Sequence, residues 1–371
     1  MDSFNDELGS DTWSTCRSSV IEVVYFLIAR FLMGFACGVE WSVLPTYVAE
    51  ISEDRNRGLF GTLTGAMSTA GLLVSYLVGP FVSIKYFCCV NIATLCLYYV
   101  LFWPFVPNSP YDLISNGKLE EAEQSLRKLR RTTEVQKELN YMSALVSSSN
   151  DKRVKDLFLD RGLSRALVLC ITLMIIQQLS GCAALSSYAQ SIFQLSGTTI
   201  PSDLAAVIIG TFSLISGLIS SSLIDKLGRR ILLITSCSVS SLALFSLGTY
   251  FFLLTSNVDT SALYWLPLAS LITYMFSYNL GLIILPFVVV GEVFPSNVKA
   301  PAATLATLSN YSMSFVVTIC FPYLVEYAGM SATFLMFGVI LIIAALFCYF
   351  KLPETKGKSF KDIEIMLYSK S

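Results

Sequence analysis

The chain has 371 residues, 54% of them apolar and only 14% charged, with a net charge of −1 and no histidine. A soluble domain carries about 25% charged residues, and a mean hydropathy of +0.65 sets this chain apart from that class. Near-neutral charge excludes a basic nucleic-acid footprint, and the missing histidine excludes Ser-His dyads, HExxH metal sites and histidine proton relays.

In chain order, the first residues, "MDSFNDELGSDTWSTCRSS", are polar and acidic. They lack the basic-then-apolar layout of a cleaved signal peptide. Crossing a bilayer takes about 20 apolar residues, and runs of that length predict spans at 21–49, 58–82 and 86–106. Residues 107–163 break the pattern: "KLEEAEQSLRKLRRTTEVQKEL" mixes both signs of charge in a soluble helical pattern. Six more spans are expected at 166–192, 203–224, 231–255, 262–291, 301–325 and 332–350. The fold class is therefore all-α and polytopic, with about nine membrane helices. Its expected parts are a polar tail (1–20), three helices (21–106), a helical linker (107–163), six helices (164–351) and a second tail (352–371). Ten cysteines are scattered along the chain, several inside apolar runs (Cys37, Cys88, Cys89, Cys96, Cys170), with no C-x-x-C pair. They read as small apolar residues, not as zinc ligands or a disulfide framework.

Basic residues are distributed unevenly. Arg55 and Arg57, eleven Lys/Arg between 107 and 165, Lys226, Arg229, Arg230, Lys299 and five after Phe350 share one side, 22 of the 25 in the chain. The positive-inside rule makes that side cytoplasmic. The C-terminus is then expected inside and the N-terminus outside.

Polar residues inside spans are the candidates for function. Gln177 and Gln178 stand side by side in "IIQQLSG". An amide buried without partners costs roughly 2–7 kcal/mol, so protein, water or a ligand must satisfy both. Two readings apply: amides joining membrane helices, or amides offered to the hydroxyls of a solute. Glu40 lies near the middle of the first span, where a carboxylate is costly and usually functional. Arg30 is ten residues away on the same helix, about 15 Å of rise, too far for direct pairing. "GFACG" (34–38) offers a close-packing face, and Pro45, Pro267, Pro286, Pro301 and Pro322 mark kinks, with the Pro286 region the expected gate.

Six motifs then carry a resemblance. "RFLMGFACGVEWSVLPTYVAEISEDRNRG" (30–58), "PNSPYDL" (107–113), "QQLSG" (177–181), "DKLGRR" (225–230), "GEVFPSNVKA" (291–300) and "PETKGKSF" (353–360) occur in this order. The chain resembles the sugar porter branch of the major facilitator superfamily, in the manner of the insect facilitated trehalose transporters. The resemblance implies a twelve-helix plan of which the first three helices are absent here, and a central cavity opened alternately to each side. It implies substrate contact for Gln177, Gln178 and Asn310. The positions Asn279, Phe287 and Tyr188 match the family's site with changed residues: Asn279 stands where a carboxylate is common and Phe287 where tryptophan is usual. It implies a cytoplasmic gate of salt bridges from Glu50, Arg57, Asp225, Arg229, Arg230 and Glu292. Glu40 and Arg30 are the candidates for intramembrane coupling, against the reading of Glu40 as a water-exposed cavity residue or a sign of relaxed constraint; the family's better-known coupling carboxylate belongs to its first helix, which is absent here.

The function expected is transmembrane passage of a sugar, trehalose or a hexose-like solute, by facilitated diffusion with alternating access. No enzyme chemistry, cofactor or metal is implied, and the partners are the sugar and the lipid bilayer. The plasma membrane is the family's default location. The alternative is a non-transporting relative acting as a sensor or partner, which the thinned substrate contacts favour.

Overall fold

Bilayer-length apolar runs leave the backbone one way to satisfy its own polar groups without a sheet edge, and that is helix. The computed structural model describes residues 2–53, 56–149, 155–188, 202–256, 258–294 and 296–354. Side chains at 2–22, 57, 84, 102–104, 145, 148–149, 156, 202–203, 225, 261 and 296–297 fall outside that description. Every regular element among the described residues is helical.

The three leading spans are α1 (Asp2–Ile51), α2 (Arg57–Val78) and α3 (Ile84–Phe105). A cluster of short helices follows: α4 (Pro110–Ser115), α5 (Leu119–Arg130), α6 (Gln136–Ser149) and α7 (Asp156–Leu159). The later spans are α8 and α9 (Arg161–Leu179, Cys182–Ser187), α10 (Ser202–Leu227), α11 (Arg229–Thr255), α12 and α13 (Leu266–Leu280, Leu285–Val293) and α14 (Ser296–Lys351). The apolar part of α14, Val298–Lys351, is 54 residues long. At 1.5 Å per residue that is about 80 Å, more than twice a bilayer core. Gly329, at φ 81° and ψ 161°, breaks it into two spans. The described residues thus hold nine apolar helical segments, as the sequence predicts.

Two of the expected spans are interrupted rather than continuous, and both breaks have local causes. At 166–192 the helix stops at Gly181, whose φ of 85° ends α8 and starts α9. A left-handed glycine is the common helix terminator because it carries no Cβ. A Cβ here would lie 2.7 Å from the Phe337 ring. Gly181→Ala is expected to destabilise the fold by about 2–5 kcal/mol, from left-handed strain and overpacking together. The melting temperature of the detergent-solubilised protein measures it, and an unchanged value would contradict this account of the break.

At 262–291 the break falls between α12 and α13, residues 281–284. Backbone groups around it are taken up by side chains from neighbouring helices. Ser216 and Ser220 of α10 donate to the carbonyls of Phe276 and Leu280, the latter at 2.6 Å. Ser236 of α11 donates to Ser277 O at 2.6 Å and accepts from Leu282 N at 3.2 Å. Interrupted helices survive in membranes only where neighbours satisfy the freed groups in this way. Gly281 permits the approach, since a Cβ there would sit 2.8 Å from Ser236 Cβ.

The main core lies among the later helices, with Leu173, Met174, Tyr274, Phe294, Phe334 and Phe337 fully enclosed. The leading spans instead turn Tyr25, Phe31, Phe35, Tyr86 and Val100 outward, as helices solvated by lipid do. The linker cluster has its own small core of Tyr111, Leu113, Ala122, Leu126, Leu139 and Met142. In α5, Glu120 and Glu121 open the helix and Arg127, Lys128 and Arg130 close it, which complements the helix dipole.

Candidate functional site

The break at Gly181 places the two glutamines at the last turn of α8, facing α14 and the α12–α13 break. Gln177 Nε2 donates to Ile283 O at 2.8 Å, one of the carbonyls released by that break. Asn310 of α14 donates from Nδ2 to Gln177 Oε1 at 2.7 Å and to Met174 O at 3.2 Å. Gln178 Nε2 donates to Asn310 Oδ1 at 2.9 Å. Gln177 and Asn310 are each 3% exposed, while Gln178 is half-buried. Three amides from two helices therefore form one cluster, with Asn310 at its hub. In this conformer they join α8, α14 and the broken helix.

A cavity of about 110 Å³ opens beside the broken helix, lined by Tyr76 of α2, Cys182 and Ser186 of α9, Ser213 of α10, and Tyr278, Asn279 and Ile283. Asn279 Nδ2 donates to Met275 O at 2.7 Å within its own helix. Its Oδ1 is buried and has no hydrogen-bond partner. Buried acceptors are satisfied in the great majority of cases, so an exception calls for an explanation. Ile283 belongs to both features: its carbonyl takes the Gln177 amide and its side lines the cavity.

Phe287 and Tyr188 stand elsewhere. The Phe287 ring lies 5.1 Å from that of Trp41, and Tyr188 stacks on Phe321 at 5.2 Å. Neither lines the cavity. The Trp41–Phe287 pair belongs to a seam where α1 meets α13 and α14. Cys37 Sγ and Tyr311 Oη are 3.3 Å apart, as are Ser42 Oγ and Thr304 Oγ1. Below them Gly291 faces Ala49 and the Pro45 carbonyl. A second seam joins α2 to α10, where Ala66 lies against Gly217 and Tyr76 against Gly210.

Charged residues gather at the end that carries the basic loops. Arg229, at the start of α11, donates from Nη2 and Nε to Glu292 Oε1 at 2.6 and 3.2 Å. Both side chains are almost fully enclosed. Glu354, beyond α14, accepts from the backbone N–H groups of Arg229 and Arg230 at 3.0 and 3.1 Å. A carboxylate at a helix N-terminus meets unsatisfied N–H groups and the positive end of the dipole. Gly228, at φ 87°, leaves the space, since a Cβ would meet that carboxylate at 2.6 Å. Arg230 donates to Tyr349 O and lies over the Tyr349 ring.

Glu50 is held apart from these, accepting from Ser109 Oγ at 2.5 Å. Arg130 completes that attachment: it pairs with Glu138 at 2.7 Å and donates to Ile51 O at 2.9 Å. The charges thus form two assemblies, one binding α11, α13 and the end of α14, the other binding α1 to the linker cluster. Arg30 rests on the Phe26 ring of its own helix. The side chains of Arg57 and Asp225 lie outside the described residues. Glu354, Trp41, Ser109 and Arg130 were not among the expected site residues. For Glu354 the signal was present in the quoted "PETKG" ending. The other three also lie in quoted stretches, but their partners are set only by the third dimension.

Interrupted apolar helices around a buried polar cluster, closed by ion pairs at one end, define a multi-pass membrane protein of the carrier class. Known structures agree. The proton:xylose symporter XylE bound to 6-bromo-6-deoxy-D-glucose, a major facilitator superfamily protein, superposes with a TM-score of 0.76 at 24% identity, over 87% of this chain and 70% of that one. A partially occluded inward-open conformation of the xylose transporter XylE from E. coli gives 0.63 at 26% identity, over 85% and 68%. The family described as "Sugar (and other) transporter" matches residues 13–367, and the chain belongs to it. The facilitated trehalose transporter Tret1 of Bombyx mori is 35% identical over 358 residues, covering 95% of this chain and 70% of that protein. Its namesake in Drosophila virilis is 32% identical over 348 residues, covering 93% of this chain and 38% of its own length.

Proposed function

We propose that the chain carries a sugar of the trehalose or hexose type across a membrane, down its gradient, by alternating access. The observation that carries this reading is a cavity lined by Asn279, whose Oδ1 is buried without a partner, that adjoins the Gln177–Asn310–Gln178 cluster through Ile283. Sugar hydroxyls both donate and accept. Asn279 Oδ1 supplies the acceptor that is free now. The amides exchange their mutual bonds for bonds to the solute as the helices part. A cavity of about 110 Å³ has room for about three waters at ~30 Å³ each, less than a sugar ring needs. The solute therefore enters as α2 and α10, or α1 and α14, draw apart.

The end bearing the basic loops is assigned to the cytoplasm on the positive-inside rule, and the plasma membrane is the family's usual location. The Trp41–Phe287 seam is then the inner gate, shut in this conformer. The names of the relatives support trehalose as the first solute to test.

Asn279→Leu tests the assignment. If Asn279 contacts solute, the variant should bind it about 2–10-fold more weakly, the loss of one hydrogen bond of about 0.5–1.5 kcal/mol. It should melt at the same or a higher temperature, because an unpartnered buried acceptor is removed. Unchanged half-saturation for trehalose would remove Asn279 from the site.

A further inference from the structure

We propose that Ser236 is a positioning residue for the solute site: from α11 it fixes the broken turn at 281–284, and through that turn it aims the Ile283 carbonyl at Gln177. The inference rests on the transport reading above and adds a residue that need not touch the solute.

The hydrogen bonds of the break show how the turn is held. In an unbroken α-helix the Leu282 N–H would go to the Tyr278 carbonyl, four residues back. Here Tyr278 O accepts instead from Ile283 N at 3.1 Å, with Gly281 N at 3.4 Å. Ile283 N thus reaches five residues back, the wider turn of a π-type break. Leu282 N–H is passed over, and it goes to Ser236 Oγ at 3.2 Å. The same hydroxyl donates to Ser277 O at 2.6 Å. One fully buried hydroxyl therefore ties the last turn of α12 to the residues just past its end. Gly281 lets α11 come this close, since a Cβ there would lie 2.9 Å from Leu232 O, one turn before Ser236.

The next residue connects this tie to the site. Ile283 O accepts from Gln177 Nε2 at 2.8 Å, Gln177 Oε1 accepts from Asn310, and Asn310 Oδ1 accepts from Gln178. Ile283 also lines the cavity beside Asn279, whereas Ser236 is not among the lining residues. Without the Ser236 hydroxyl, Leu282 N–H has lost its partner inside the protein, and a buried donor left unpaired costs more than the net value of the bond it made. The turn is then no longer held in this register, and the Ile283 carbonyl is no longer held at Gln177. Groups that meet a ligand keep their geometry only when the residues behind them are locked.

A neighbour one turn along supplies the control. Ser240 is equally buried on the same face of α11, and its hydroxyl lies 2.6 Å from that of Ser277. Its partner precedes the break, so its loss removes a buried hydrogen bond between α11 and α12 without freeing Leu282 N–H.

The test is radiolabelled trehalose uptake by the full chain, Ser236→Ala and Ser240→Ala at matched surface level. Ser236→Ala should raise half-saturation several-fold with little change in maximal rate, and Ser240→Ala should match the wild type. Ser236→Cys, whose thiol is a weak donor and acceptor, should fall between them, and it replaces the alanine variant if that one does not reach the surface. Equal half-saturation in all chains, equal shifts in both alanine variants, or a loss of maximal rate alone would overturn the proposal while leaving transport intact. No saturable uptake by the wild type would overturn the transport reading instead. In that event hydrogen exchange of the purified full chains, resolved at Leu282 by fragmentation, decides on Ser236. The Leu282 amide should exchange several-fold faster in Ser236→Ala than in Ser240→Ala, and equal rates would contradict the tie.

Discussion

Glu292→Gln is expected to abolish most solute movement while the chain still reaches the membrane. The guanidinium of Arg229 is enclosed against Glu292 at 2.6 Å. Removing one partner of such a pair typically costs about 3–5 kcal/mol, because a charge is left in a poor dielectric. The cost falls on a particular piece of structure. Glu292 ends the nine-residue α13, which also carries Phe287 and Gly291 onto α1. Freed from α11, α13 no longer holds the seam shut. A closed-to-open balance shifted by even 3 kcal/mol changes by a factor of about one hundred. Cys37 should then react faster with a thiol reagent applied from the basic side. Unchanged labelling together with unchanged uptake would remove the ion pair from the gate.

Asn310→Leu should be the most damaging change in the polar cluster. Asn310 accepts from Gln178 and donates to Gln177 and Met174 O, so its loss withdraws partners from both glutamines at once. Each buried polar group left without a bond costs about 1–3 kcal/mol. The variant should lose both thermal stability and solute binding, whereas Asn279→Leu should lose binding alone. That contrast separates a residue that joins helices from one that waits for a solute. If the two variants behave alike, the distinction between hub and orphan acceptor is wrong.

What the sequence made legible follows from what the bilayer demands. Lipid requires long apolar helices, so nine runs could be read directly, and the charged stretch around 118–139 could be recognised as a helical cluster outside them. The interruptions were harder. Gly181 was visible within "QQLSG", but a glycine inside an apolar run reads equally as a packing contact. At 281–284 the break depends on Ser216, Ser220 and Ser236 arriving from two other helices, and no local pattern announces them. Phe287 illustrates a further limit: the motif names its position, while the identity of the ring it meets, Trp41, depends on the approach of a helix some 250 residues earlier in the chain.

The charges at the basic end show the same division. Their clustering at helix ends was readable from spacing alone. Their division into two assemblies was not, because Glu50 is claimed by Ser109 across 59 residues and Arg229 by Glu292 across 63. Glu354 entered the second assembly because the helix N-terminus at Arg229 offers bare N–H groups and Gly228 leaves room for a carboxylate. Asn279 was legible as a polar residue in a span, yet its significance lies in a side-chain oxygen that, like Ser270 Oγ, has no hydrogen-bond partner among the described residues.

The central claim is that this chain moves a sugar through a path beside Gln177, Asn310 and Asn279. Its most direct test is uptake of radiolabelled trehalose into oocytes expressing the 371-residue chain, with surface protein quantified in the same cells. The account predicts saturable uptake above uninjected cells, competed by unlabelled trehalose and weakened in Asn279→Leu. Uptake at background with abundant surface protein would contradict it and favour a non-transporting relative.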